Sequence, residues 1–176
     1  TTLFRSASIE ETKGKNDIKE TKENNEITVT GGATTIVNGT IENSTSIRTL
    51  EVSGGTLNIG ISGDNTTVTK IINAVALDST NYDSCAVKVV KGSNLNINGE
   101  KTLIKSGVGS NSKYANALDS QGTVVMNDAR IEVNVTSGGG GGAINTSGSF
   151  TMNSGYIYVS KLGNGRCAVC VNGGTT

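Results

Sequence analysis

The sequence predicts an all-β chain, a right-handed single-stranded parallel β-helix, and three observations carry that prediction. The first is a repeat: Ala117-Leu118-Asp119-Ser120-Gln121-Gly122-Thr123-Val124-Val125-Met126-Asn127, then Ile131-Glu132-Val133, returns 26 residues later as Ala143-Ile144-Asn145-Thr146-Ser147-Gly148-Ser149-Phe150-Thr151-Met152-Asn153, then Ile157-Tyr158-Val159. The second is its content. Each copy holds three short alternating apolar runs parted by Gly, Asn or Ser, too short for helices and right for three strands. The third is bulk: 24 glycines, no proline, two Phe and no Trp in 176 residues leave a compact core underfilled. A solenoid interior needs only stacked columns of Val, Ile, Leu and Met. Right-handedness follows from the variable period, since left-handed forms keep a strict hexapeptide. An antiparallel sandwich would also show regularly spaced short strands, but here the copies match in phase as well as in content.

Taken in order, Thr1-Thr2-Leu3-Phe4-Arg5-Ser6 reads back in frame as ACG ACG CTC TTC CGA TCT, the end of a common sequencing adapter. Residues 1–6 are therefore set aside like a cloning scar. With no initiating Met and a last residue inside a repeat, the chain is expected to be a fragment of a longer protein. Residues 7–25 carry Glu10, Glu11, Lys13, Lys15, Asp17, Lys19, Glu20, Lys22 and Glu23 with almost no large apolar side chain. Such a stretch buries too little to offset its ordering entropy, so a disordered charged linker is expected.

The solenoid is expected over 26–176. Gly55-Thr56-Leu57-Asn58-Ile59, Asn94-Leu95-Asn96-Ile97-Asn98, Val124-Val125-Met126-Asn127 and Phe150-Thr151-Met152-Asn153 place apolar residues two apart. On a strand these face the same way, so Leu57, Leu95, Val124 and Phe150 form one inward column and Ile59, Ile97, Met126 and Met152 another. Asn98, Asn127 and Asn153 then share a corner, where stacked amides can bond from coil to coil. A second strand set points Val87, Leu118, Ile144 and Val169 inward, with Ala86, Ala117, Ala143 and Ala168 outward or at a bend. The 38 residues between Leu57 and Leu95 imply an insertion or an extra strand pair. The C-terminal coil is expected to end in an open edge that favours self-association.

Several functions find no support in this pattern. With 15 basic and 15 acidic residues, nothing points to nucleic acid, and no apolar stretch is long enough to span a membrane. Cys85 and Cys167 share a phase about three coils apart, beyond disulfide reach. Cys167 and Cys170, at odd separation on one expected strand, should face opposite sides. With no His in the chain, a redox or zinc role is not expected, and no cofactor or metal is assigned. The run Gly138–Gly142 lacks the Lys-Ser/Thr of a phosphate loop. Asp64, Asp78, Asp83, Asp119 and Asp128 are scattered in phase, so no catalytic carboxylate pair is assigned.

The third strand set supplies the candidate site. Inward Ile157 and Val159 force Tyr156 and Tyr158 outward, with Glu132 and Asn134 outward one coil earlier. Two tyrosine faces beside a carboxylate and an amide can stack on and hydrogen-bond a sugar.

The run Gly142 to Ile157, its partner beginning Ala115-Asn116-Ala117-Leu118-Asp119-Ser120, and the segment from Asp83 through Lys91 to Gly107 resemble the repeat of secreted bacterial carbohydrate-binding β-helix proteins. That family is similar to pectate lyases in fold and includes polygalacturonate binders. The resemblance implies non-catalytic polysaccharide binding in an extracellular or cell-surface setting. A passive stalk or adhesin-type passenger is the alternative, with a polysaccharide lyase or hydrolase behind both.

Overall fold

The computed structural model describes residues 8–9, 20–23, 27–45, 47–74, 84–107, 116–134, 142–160, 162 and 167–173. Among these there is no helix, and 18 strands form three parallel sheets. Sheet A holds β1 (Ser8–Ile9), β3 (Ile27–Val29), β6 (Arg48–Val52), β9 (Cys85–Val89), β12 (Asn116–Ser120), β15 (Gly142–Thr146) and β18 (Val169–Val171). Sheet B holds β4 (Ala33–Ile36), β7 (Thr56–Ile59), β10 (Asn94–Asn98), β13 (Thr123–Asn127) and β16 (Ser149–Met152). Sheet C holds β2 (Glu20–Glu23), β5 (Gly39–Asn43), β8 (Thr69–Asn73), β11 (Thr102–Ser106), β14 (Ala129–Val133) and β17 (Gly155–Val159). From β3 onward the chain visits A, B and C in turn, and each strand inside a sheet pairs with those one circuit before and after. This is a parallel β-solenoid.

Its register is the one the repeats imply. Leu95 stands opposite Leu57 and Val124, and Val124 opposite Phe150; Ile97 stands between Ile59 and Met126. Val87, Leu118, Ile144 and Val169 align in sheet A, and Ile41, Ile71, Ile104 and Ile131 in sheet C. The columns are buried except on the last rung, where Met152 is 40 % exposed and Ile157, Val159 and Val169 are half-buried. Each fully buried aliphatic side chain contributes about 1.5–3 kcal/mol, so the interior column is the main source of stability.

Four expectations are corrected or sharpened. Ala86, Ala117 and Ala143 do not face solvent but are fully buried. The registers of β9, β12 and β15 step over these alanines, and the N–H groups of Ala143 and Ile144 both donate to the Ala168 carbonyl. The backbone therefore bends there, at the corner where sheets C and A meet, and only a small side chain fits inside. The 38-residue gap holds one ordinary circuit, β7–β8–β9–β10, with a long turn over 60–68; no extra strand pair occurs among its described residues. Cys167 and Cys170 form a disulfide, Cα–Cα 5.4 Å. The strand begins only at Val169, so Cys167 sits in the preceding turn and alternation does not govern its direction. Cys85 is buried and not disulfide-bonded, as its position implied. Within the charged segment 7–25, Ser8–Ile9 and Glu20–Glu23 pair with β3 and β5, and the rest lies outside the described residues.

Candidate functional site

The corner between sheets B and C is set by the asparagines. Asn127 Nδ2 donates to Asn98 Oδ1 and Asn153 Nδ2 to Asn127 Oδ1, both at 2.8 Å. The ladder starts at Asn98 because the rung beneath it carries Gly60: a Cβ on Gly60 would lie 1.9 Å from the Asn98 carbonyl oxygen. After the ladder the chain must turn sharply, and it does so through left-handed residues, Gly99 (φ 91°) and Asp128 (φ 56°). Glycine takes this conformation without strain, and Asp is among the few other residues that tolerate it. The turns also bond to one another: Glu100 N–H donates to the Asp64 carbonyl, Gly99 N–H to that of Asn127, and Asp128 N–H to that of Ser154.

Downstream of this pinned corner the side chains line an open groove of about 760 Å³. Its walls carry Asp64, Glu100, Lys101, Asp128, Arg130 and Tyr156, contributed by successive circuits. Asp64 Oδ1 accepts from the Thr66 amide and hydroxyl, each at 2.7 Å, and from the Thr67 amide at 3.2 Å. Hydrogen bonds from the Thr67 and Thr66 hydroxyls, then from both backbone amides, hold the Asp64 carboxyl well below the usual carboxylate range. It is anionic at neutral pH.

Beside the groove lies the outer face of sheet C. Tyr156 and Tyr158 are 50 % and 42 % exposed, and their rings stack nearly parallel, 10° between planes and 6.3 Å between centroids. Strand register sets Arg130 opposite Tyr156 and Glu132 opposite Tyr158, with Lys105 next to Glu132 on the rung below. Glu132, whose side chain is 14 % exposed, accepts from Arg130 and pairs with Lys105 at 3.6 Å.

Of the four residues singled out by sequence, the fold thus brings Tyr156, Tyr158 and Glu132 together. Asn134 lies past the last register pair of β14, with its N–H on the Ser106 carbonyl, and Arg130 occupies the place beside Tyr156. Asp64 and Asp128, scattered in sequence phase, line the same groove, because the long 60–68 turn carries Asp64 back to the corner. Asp119 is remote on sheet A, where its Oδ1 accepts from Asn145 Nδ2 at 3.0 Å. Asp78 and Asp83 lie outside the described residues. Among those described, no group of three or more Cys, Asp or Glu is placed to hold a metal ion, and no helix is long and apolar enough to cross a membrane. Comparisons with protein-family models, curated proteins and solved structures find no match.

Proposed function

We propose that this chain is a non-catalytic polysaccharide-binding solenoid of an extracellular or cell-surface protein. The observation that carries the reading is the exposed, parallel Tyr156–Tyr158 pair at the rim of a polar groove. Aromatic faces supply apolar contact to sugar rings, and carboxylate and guanidinium groups nearby supply directional hydrogen bonds to hydroxyls. The resemblance to secreted carbohydrate-binding β-helix proteins agrees with it. So does the Cys167–Cys170 disulfide, a bond that persists in oxidising compartments. In affinity electrophoresis through polysaccharide-containing gels, the Tyr156→Ala, Tyr158→Ala double variant should keep its β-sheet circular dichroism and lose retardation. Retardation equal to that of the parent would move the site elsewhere.

A passive stalk is the second reading, and the amide ladders favour it, since they stiffen a rod without presenting anything. A parent chain that no polysaccharide retards would select the stalk. Under either reading the outer edges of β16, β17 and β18, unpaired among the described residues, are proposed to support self-association, visible as a concentration-dependent mass in light scattering.

A further inference from the structure

We infer that the groove beside Tyr156 selects a neutral, hydroxyl-rich polysaccharide and discriminates against a polyuronate. The inference rests on the polysaccharide-binding reading and concerns the charge of the ligand. A polymer carrying one carboxylate per sugar needs uncommitted cations spaced along its path. The groove offers the reverse: three carboxylates, Asp64, Glu100 and Asp128, against Lys101 and Arg130. Arg130 is already engaged by Glu132, which also holds Lys105 on the adjoining sheet face. Asp64 stays ionised throughout the neutral and mildly acidic range because its turn hydroxyls and amides bond to it.

The same groups suit a neutral chain. Asp64 Oδ1 accepts from the Thr66 amide and hydroxyl and from the Thr67 amide, which fixes the carboxylate at the groove wall. A carboxylate accepts from hydroxyl donors in several directions, whereas it can only repel another carboxylate. The lining residues come from four successive circuits, so the groove runs along the solenoid axis for about 14 Å at about 4.8 Å per rung. That length accommodates a short run of sugar units, with the tyrosine rings at one end.

The test is affinity electrophoresis of the whole chain in gels containing a mixed-linkage β-glucan, a galactomannan, a neutral xylan or sodium polygalacturonate at equal mass and low ionic strength. At least one neutral polymer should retard the protein about tenfold more strongly than polygalacturonate, a ratio that corresponds to about 1.4 kcal/mol. Any residual polygalacturonate binding should strengthen as salt screens the repulsion. In Glu100→Gln, Asp128→Asn, where Asn retains tolerance for the left-handed turn, the polygalacturonate-to-neutral ratio should rise about tenfold. Equal or stronger retardation by polygalacturonate, weakened by salt, would overturn the inference while leaving the polysaccharide reading intact. Retardation by none of the polymers would overturn both.

Discussion

The outer faces of sheets B and C are built on the same backbone and used differently. Sheet B presents two columns, Ala33, Thr56, Asn94, Thr123 and Ser149, then Thr35, Asn58, Asn96, Val125 and Thr151, with no charge in either. Its amides bond laterally: Asn96 Nδ2 to Asn58 Oδ1 at 2.8 Å and Asn94 Nδ2 to Thr56 Oγ1 at 3.4 Å. Sheet C presents Thr40, Lys70, Leu103, Arg130 and Tyr156, then Glu42, Ile72, Lys105, Glu132 and Tyr158. One face turns its polar groups on itself, from rung to rung. The other leaves aromatic rings exposed and opens onto a charged groove. A parallel ladder therefore fixes where side chains stand, and the residue chosen at each rung decides whether a face is scaffold or surface.

The largest expected effect comes from the interior that both faces share. Ile144→Asp places an unpaired charge in a fully buried column and should cost about 4 kcal/mol or more, lowering the urea midpoint or abolishing the β-sheet signal. Retention of the parent midpoint would mean that this column is not buried. Next in size is Asn127→Ala, which removes both ladder bonds at the B–C corner and leaves Asn98, 8 % exposed, without its donor. A loss of about 1–2 kcal/mol is expected, together with weakened ligand retention, because the corner positions Asp128 and Arg130. Asn96→Ala, on the face of sheet B, should cost about 1 kcal/mol and leave retention unchanged.

Much of this arrangement was legible in the sequence, and the parts that were not share a cause. The columns through Leu95 and Leu118 and the ladder through Asn127 follow from a two-residue alternation repeated in phase. They needed no knowledge of the turns. For Ala86 and Ala117 the sequence left an outward position or a bend open, and the bend holds, with both buried; Cys167 was misplaced because a strand boundary two residues later frees its side chain. Asp64, Glu100, Lys101, Asp128 and Arg130 were missed as a group: they sit in turns of unequal length, where distance along the chain no longer measures height on the rod. The pairing of Arg130 with Tyr156 was within reach, since both stand one residue before the aligned isoleucines Ile131 and Ile157.

The smallest effect is a pH dependence at Asp64. Its folded-state carboxyl is more acidic than in the unfolded chain, so its contribution is present above the unfolded value of about 3.9 and is lost as pH falls towards the folded one. The melting-temperature difference between the parent and Asp64→Asn should hold steady from about pH 7 to pH 5 and shrink below about pH 4. A difference that widened on acidification would remove the turn hydrogen bonds from the account.

The most direct test compares the two faces in one experiment: retardation by neutral polysaccharide of the parent chain, the sheet C variant Tyr156→Ala, Tyr158→Ala and the sheet B variant Asn96→Ala, each first shown by circular dichroism to be folded. The parent and Asn96→Ala should be retarded alike, and the tyrosine variant should migrate as if no polysaccharide were present. Loss of retardation in Asn96→Ala with the tyrosine variant unaffected would put the binding surface on sheet B and contradict a site on sheet C.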